Sequence, residues 1–284
     1  MNDRLKIKFW GVRGSTPSPN LYNMEFGGNT TCIQIEIDGF DELLIADCGT
    51  GIRNLGNELI DTKLKGKIFV THPHWDHLQG FSFFKPFNNS RNHFEVYMPP
   101  QGSKGCEEVL QKYLSDTFFP ISIGMFKAKI DFLTYEKEKL DFERYSVEYM
   151  SARHTMPTAI YKFHVNNKEI VFAPDNEIPS IENASDESFI KEFQEFVAGA
   201  DVLIHDSQFD KNQYNARKGW GHSDWQTVLE TTKDLQVKKL LLTHHDPDNN
   251  DKVLANRNKE IQESYGQYFE QVCLVKEGQE IILS

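Results

Sequence analysis

Lys67-Ile68-Phe69-Val70-Thr71-His72-Pro73-His74-Trp75-Asp76-His77 joins an apolar run to three imidazoles and a carboxylate packed into six residues. The run at 67–71 reads as a buried strand, which gives the histidine cluster a rigid base. Imidazole mixed with carboxylate is the ligand set that suits zinc and related divalent ions. His72 and His74 differ by two positions, so an extended chain directs both towards one ion. Asp76 and His77 follow the turn and are expected to face a second ion. A surface metal-affinity patch is the bland alternative. With only 10 His in the chain, three within six residues weigh against it.

Working outward, other candidate ligands fall at the ends of expected strands. Residues 5–10 and 32–37 alternate, 43–46 is a short apolar run, and Gly49-Thr50-Gly51 opens a helix through about Ile60. A helix is expected at 104–117, then a strand-rich stretch in which a strand at 147–151 leads to His154. A hairpin over 160–165 and 169–173 turns at Asn166-Asn167 and ends at Asp175. A helix at 186–197, a strand at 202–205 and a helix at 223–235 follow. Ser223-Asp224-Trp225-Gln226 fits a capping box. The strand at 239–243 ends at His244-His245, before a further helix and a closing hairpin through Leu283. This alternation places sheets in the middle and helices outside. No linker, low-complexity tract or repeat interrupts the sequence, so one domain spanning 1–284 is expected. One sheet edge would gather His154, Asp175 and His244, where α/β enzymes commonly place their sites.

The order His-x-His-x-Asp-His, then His154, Asp175 and His244, resembles the metallo-β-lactamase superfamily over nearly the whole chain. The resemblance implies an α+β four-layer αββα sandwich, two mixed β-sheets with helices outside. It implies His72, His74 and His154 on a first metal, Asp76, His77 and His244 on a second, and Asp175 bridging both. Zinc is the default metal, with manganese and iron compatible. A homodimer is also implied.

Two further features resemble the ribonuclease Z and small-phosphodiesterase branch. Phe9-Trp10-Gly11-Val12-Arg13-Gly14-Ser15-Thr16-Pro17 places a Gly-rich turn after the first strand. Arg13 and Ser15 are its candidate substrate contacts, through a cation and exposed backbone N–H groups near an anion. An ordinary loop is the competing reading. Phe26-Gly27-Gly28-Asn29-Thr30-Thr31 shares the likeness. His222, in Gly221-His222-Ser223, matches the branch's leaving-group acid, with Asp206 as the carboxylate that orients it and sustains an imidazolium. Simple packing beside a helix cap is the alternative for His222. His205 is a candidate neighbour of the site and His245 a structural residue. His93, His164 and Arg153 read as solvated, and Trp75 and Trp220 either stack a base or wall the pocket.

The resemblance implies hydrolysis of a phosphodiester by a metal-bridging hydroxide, with Asp76 taking up the water proton and His222 protonating the leaving oxygen. The 284 residues carry 42 acidic against 31 basic side chains, a net charge of −11, and no Lys/Arg run. Such a surface opposes a long polyanion, and no long basic arm for gripping tRNA is visible. A small phosphodiester is therefore the leading expectation, a cyclic nucleotide above all. A ribonuclease Z-like tRNA 3′-processing endonuclease comes next, and a thioesterase or lactonase third. A non-catalytic sensor module is last, because all seven ligands are present. Four scattered cysteines without a Cys-x-x-Cys pair read as free thiols of a reducing compartment. The absence of a signal-peptide pattern or a membrane-length apolar run makes the cytoplasm the expected location.

Overall fold

The computed structural model describes residues 4–59, 63–117, 119–136, 139–182 and 184–284. The chain divides into two compact units, Met1–Ser18 with Gly27–Lys137 and Lys276–Ser284, and Pro19–Phe26 with Glu138–Val275.

The first unit carries a seven-stranded sheet. Its strands are β1 (Leu5–Gly11), β2 (Cys32–Ile37), β3 (Glu42–Ala46), β4 (Lys65–Phe69), β5 (His93–Met98), β6 (Lys129–Thr134) and β14 (Glu280–Leu283), in the order β14-β1-β2-β3-β4-β5-β6. Pairing is antiparallel from β14 to β3 and parallel from β3 to β6. Helices α1 (Ile52–Glu58), α2 (Trp75–Leu78) and α3 (Cys106–Tyr113) belong to the same unit. Of the parallel strands, β3 and β4 are buried over their last four residues, whereas β6 at the sheet edge is only partly buried. Phe84, Phe87 and Phe94 pack edge-on beside them with ring centroids 5.0–5.5 Å apart.

The second unit repeats this plan. Its strands are β7 (Lys139–Asp141), β8 (Tyr145–Ser151), β9 (Ala159–Val165), β10 (Lys168–Ala173), β11 (Val202–Asp206), β12 (Lys239–Thr243) and β13 (Gln271–Leu274), in the order β13-β12-β11-β10-β9-β8-β7. Pairing is antiparallel from β7 to β10 and parallel from β10 to β13. The β9–β10 turn has Asn166 at φ 51° and Asn167 at φ 61°, the two left-handed residues that a tight hairpin of this twist needs. Helices α4 (Ala184–Val197), α5 (Lys211–Asn215), α6 (Trp225–Thr232) and α7 (Asp251–Tyr265) complete the unit. Phe193, Val228, Leu229, Leu254 and Ile261 share a buried cluster with Val171, Leu203 and Leu242 of the sheet.

Several expectations change. The helix expected to reach Ile60 ends at Glu58, and Ile60 lies outside the described residues. The helix expected at 104–117 is confined to Cys106–Tyr113. No capping box starts α6: Asp224 is its N-cap and accepts from Thr227 N, whereas Ser223 accepts from Ile178 N and donates to Asn176 O. A local pattern loses here to a tertiary partner for the hydroxyl. The closing hairpin is also corrected, because β13 pairs with β12 and β14 with β1, in different sheets. β6 and β7 fall in the stretch after 117 expected to be rich in strands, and β5 is an additional strand.

Candidate metal centre

In the first unit, β3 and β4 run parallel with Ala46 opposite Phe69, so their C-terminal ends lie side by side. Asp47 follows β3 at φ 61° and is fully buried. Its Oδ1 accepts from Thr71 N at 2.8 Å, where the next ladder bond would have been, and the strand therefore ends before Thr71. Asp47 also accepts from the Thr71 hydroxyl at 3.0 Å and from His77 Nδ1 at 2.7 Å. That last bond fixes the His77 tautomer and leaves Nε2 as the ring's lone-pair nitrogen. His77 Nε2 lies 3.3 Å from Asp76 Oδ2, and His72 Nε2 lies 2.8 Å from His74 Nδ1. Two facing ring nitrogens at that separation suit one shared cation. Gly49 permits the close fold of this turn, since a Cβ there would stand 2.5 Å from the Asp76 carbonyl oxygen.

The Gly-rich turn serves this set from outside. Ser15, exposed and at φ 61°, donates its backbone N–H to Asp76 Oδ2 at 2.7 Å. This N–H of the turn is therefore engaged by the chain's own Asp76. Arg13 is corrected more sharply. It is fully buried, with Nε donating to the Gly27 carbonyl at 2.7 Å. A guanidinium so placed organises the loop and presents no charge to solvent.

In the second unit, β10, β11 and β12 are parallel and in register, with Ala173 opposite His205 and Asp206 opposite Thr243. β8 runs the same way, two antiparallel pairings from β10. His154, Asp175, Asp206 and His244 therefore leave one edge of one sheet. His154 Nδ1 donates to the Gly221 carbonyl at 2.9 Å, which turns Nε2 towards Asp175 Oδ2 at 3.7 Å. His244, at φ 61°, places Nε2 3.1 Å from Asp175 Oδ1. His222 Nδ1 donates to Asp206 Oδ2 at 2.8 Å and lies 3.9 Å from Asp175 Oδ2. Its ring stacks on His244 at 4.9 Å and 19°.

The expected pairing of His222 with Asp206 is present, and α6 begins three residues later. His205 is buried, donates from Nδ1 to the Asp206 carbonyl and faces Asn176 Nδ2 with Nε2. Burial pulls its pKa below the usual 6.5. His245 is structural: its Nε2 bonds the Val275 carbonyl and its ring meets the edge of Phe26. Arg153 is exposed, as expected, and its guanidinium is also ion-paired with the buried Asp186. His93 and His164 are half-buried beside Asp131 and Glu148. Trp75 and Trp220 are exposed. The sequence reading missed Asp47, although a carboxylate ending the apolar run 43–46 was a signal of the same kind as Asp175.

The donor chemistry fits divalent cations. Asp47, Asp76, Asp175 and Asp206 are all buried, and ionised carboxylates out of water need cations or strong donors beside them. Ser15, Asp47 and His244 each hold a left-handed backbone, which costs about 1–3 kcal/mol per residue and concentrates at functional sites. Arranged this way, the second unit's donors also include an imidazole held by a carboxylate, the pairing used to deliver a proton.

The family model described as "Beta-lactamase superfamily domain" matches residues 44–245. Ribonuclease Z of Picrophilus torridus is 26% identical over 305 residues, covering 92% of each chain. Ribonuclease Z of Streptococcus suis is 23% identical, covering 98% of this chain and 100% of its own. Among solved structures, the metallo-beta-lactamase fold protein YhfI of Bacillus subtilis matches with a TM-score of 0.72 at 18% identity, over 99% of this chain and 100% of that one. The short form of human tRNase Z matches at 0.64 and 19%, over 97% and 98%. The expected αββα fold class, with two mixed sheets and helices, is borne out by these likenesses. The chain belongs to the metallo-β-lactamase superfamily, in the branch that holds ribonuclease Z, and is a metal-dependent hydrolase.

Proposed function

We propose that the chain is a dinuclear phosphodiesterase, with His72, His74 and His154 holding one ion, Asp76, His77 and His244 the other, and Asp175 shared by both groups. The observation that carries this reading is directional. The Nδ1 atoms of His77 and His154 are both committed to oxygen acceptors, Asp47 and the Gly221 carbonyl, which leaves Nε2 of each for a cation. When bound, two divalent ions, zinc by default with manganese or iron compatible, supply Lewis acidity at a phosphoryl oxygen and ease the deprotonation of water.

The remaining proton steps belong to the chain's own residues. Asp76, its Oδ2 steadied by the Ser15 N–H, takes up the proton of water. Asp206 holds His222 by Nδ1 and sustains its imidazolium, so Nε2 delivers a proton to the departing alkoxide. Ser15 acts through Asp76 in this account, and Arg13 maintains the loop that carries Ser15.

On substrate, the ribonuclease Z relatives favour an RNA, so cutting a tRNA precursor at its 3′ side takes precedence over the cyclic-nucleotide expectation. The net charge of −11 favours the second reading, a small diester such as a cyclic nucleotide. A side-by-side assay of metal-loaded protein on a tRNA precursor, cyclic nucleotides and bis-p-nitrophenyl phosphate tests both. Cleavage of the precursor alone supports the first. Cyclic nucleotides cleaved with the precursor intact reverse the order. Absence of bound metal together with no turnover on any of them removes the enzyme reading. A homodimer is part of the proposal, and sedimentation as a single 32.9 kDa chain removes it.

A further inference from the structure

Glu177 is a carboxylate with 4% exposure in the second unit, and no step above uses it. Its Oε1 accepts from the Tyr214 hydroxyl and from Gly219 N, and its Oε2 from Gly221 N, each at 2.9 Å. Its own N–H donates to the Arg153 carbonyl at 2.9 Å. One side chain thus gathers two backbone donors from the loop after α5 and one hydroxyl from α5 itself, and its backbone is tied to the residue before His154. The loop ends at the two residues that matter most to the site. Gly221 offers its carbonyl to His154 Nδ1, and His222 follows directly.

The turn leaves little room for adjustment. Gly219 and Gly221 sit at φ 81° and 86°, and a Cβ on Gly221 would stand 2.1 Å from His154 Nδ1. Backbone packed this closely against an imidazole must be held in place, and the two glycine N–H groups are the handles. A carboxylate suits this task because both of its oxygens accept. A glutamine of the same shape would turn an NH2 group towards at least one of the donors.

We propose that Glu177 is a positioning residue: by clamping the N–H groups of Gly219 and Gly221, it sets the Gly221 carbonyl that fixes His154 and presents His222 to Asp206. The inference rests on the reading that His154 and His222 act in the site. Loss of the direct partner of a metal ligand lowers metal affinity about 10–100-fold; Glu177 stands one bond further out, behind the Gly221 carbonyl, so its effect should fall at or below the low end of that range. Loss of the clamp should also weaken proton delivery, which a merely structural residue would not do selectively.

The test compares full-length wild type with Glu177→Gln by zinc affinity in chelator competition and by kcat on diesters with an alkyl and a p-nitrophenyl leaving group. The expected result is zinc weakened by up to about 10-fold, with the alkyl diester losing more than the aryl one, whose leaving group needs no proton. Wild-type zinc affinity and an unchanged ratio of the two rates would overturn the proposal, whatever happens to Tm. If the variant does not fold, amide exchange of the wild type decides. Gly219 and Gly221 amides exchanging as fast as open-loop amides would overturn it, and strong protection supports it. A wild type that binds no zinc and turns over nothing sinks this inference and the proposed function together. An active, zinc-binding wild type matched by Glu177→Gln sinks this inference alone.

Discussion

His72, His74, Asp76 and His77 occupy one six-residue stretch after β4, whereas His154, Asp175, His222 and His244 come from four separate segments of the second unit. The first set is assembled by local chain geometry: alternation along an extended segment, then a short helical turn. The second set is assembled by strand pairing, because β10, β11 and β12 lie parallel and in register and β8 shares their direction. Their supports differ as well. In the first unit Asp47 braces Thr71 and His77 from the neighbouring strand. In the second, a loop carbonyl braces His154 and a carboxylate braces His222. The Ser15 N–H adds a second brace to the compact set at Asp76, so its supports are a carboxylate and a backbone donor, whereas those of the scattered set are a backbone acceptor and a carboxylate.

The largest expected effect comes from the scattered set. Asp175→Ala removes the carboxylate that both His154 and His244 face, and metal analysis with turnover should show loss of both. A variant that keeps two tightly bound ions and full activity would break the comparison, since the second unit would then be dispensable.

His222→Ala separates proton delivery from metal holding within that unit. Metal content should stay at the wild-type value, while kcat on an alkyl diester falls about 10²–10⁴-fold. An equal loss on a p-nitrophenyl diester would reassign His222 to another task.

Asp47→Ala tests the carboxylate brace of the compact set. Metal affinity should fall about 10–100-fold, and the Thr71 N–H, left buried without its acceptor, should cost about 1–3 kcal/mol of stability. Chelator competition and urea unfolding read the two effects separately. Unchanged affinity would show that the first set holds without this carboxylate.

The smallest effect concerns pH. Burial lowers the pKa of His205 below 6.5, so the unfolded chain binds its proton more readily than the folded one. The stabilisation from His205 is therefore complete above about pH 6.5 and is lost as pH falls through the lower folded value. The urea midpoint of the wild type should drop more than that of His205→Gln between about pH 7.5 and pH 5.5. Equal drops would remove His205 from the account.

Much of the fold was legible because its signals are local. The strands Cys32–Ile37 and Lys239–Thr243 coincide with the expected 32–37 and 239–243, since alternation or an apolar run is a property of the segment itself. The Asn166-Asn167 turn was legible for the same reason. Other features depend on partners distant in sequence. Ser223 looked like a cap but bonds Asn176 and Ile178, and the last two strands looked like a hairpin but joined different sheets. β5 has only a short apolar signal of its own, because His93 and Glu95 interrupt its apolar run with polar side chains, and its place between β4 and β6 is set by pairing.

By itself, the sequence determined that imidazole and carboxylate donors converge after an apolar strand, because their types and spacing are written in consecutive residues. It also supplied every further candidate donor, at a strand end in the case of His154, Asp175 and His244. Only the tertiary structure decided which donors are braced and by what: Asp47 on His77, Gly221 on His154, Asp206 on His222 and Glu177 on the turn. It also turned Arg13 from a candidate substrate contact into an internal anchor for Gly27. The physical reason is common to all of these. A hydrogen bond between residues far apart in the chain is set by strand register and loop closure, which no local pattern encodes.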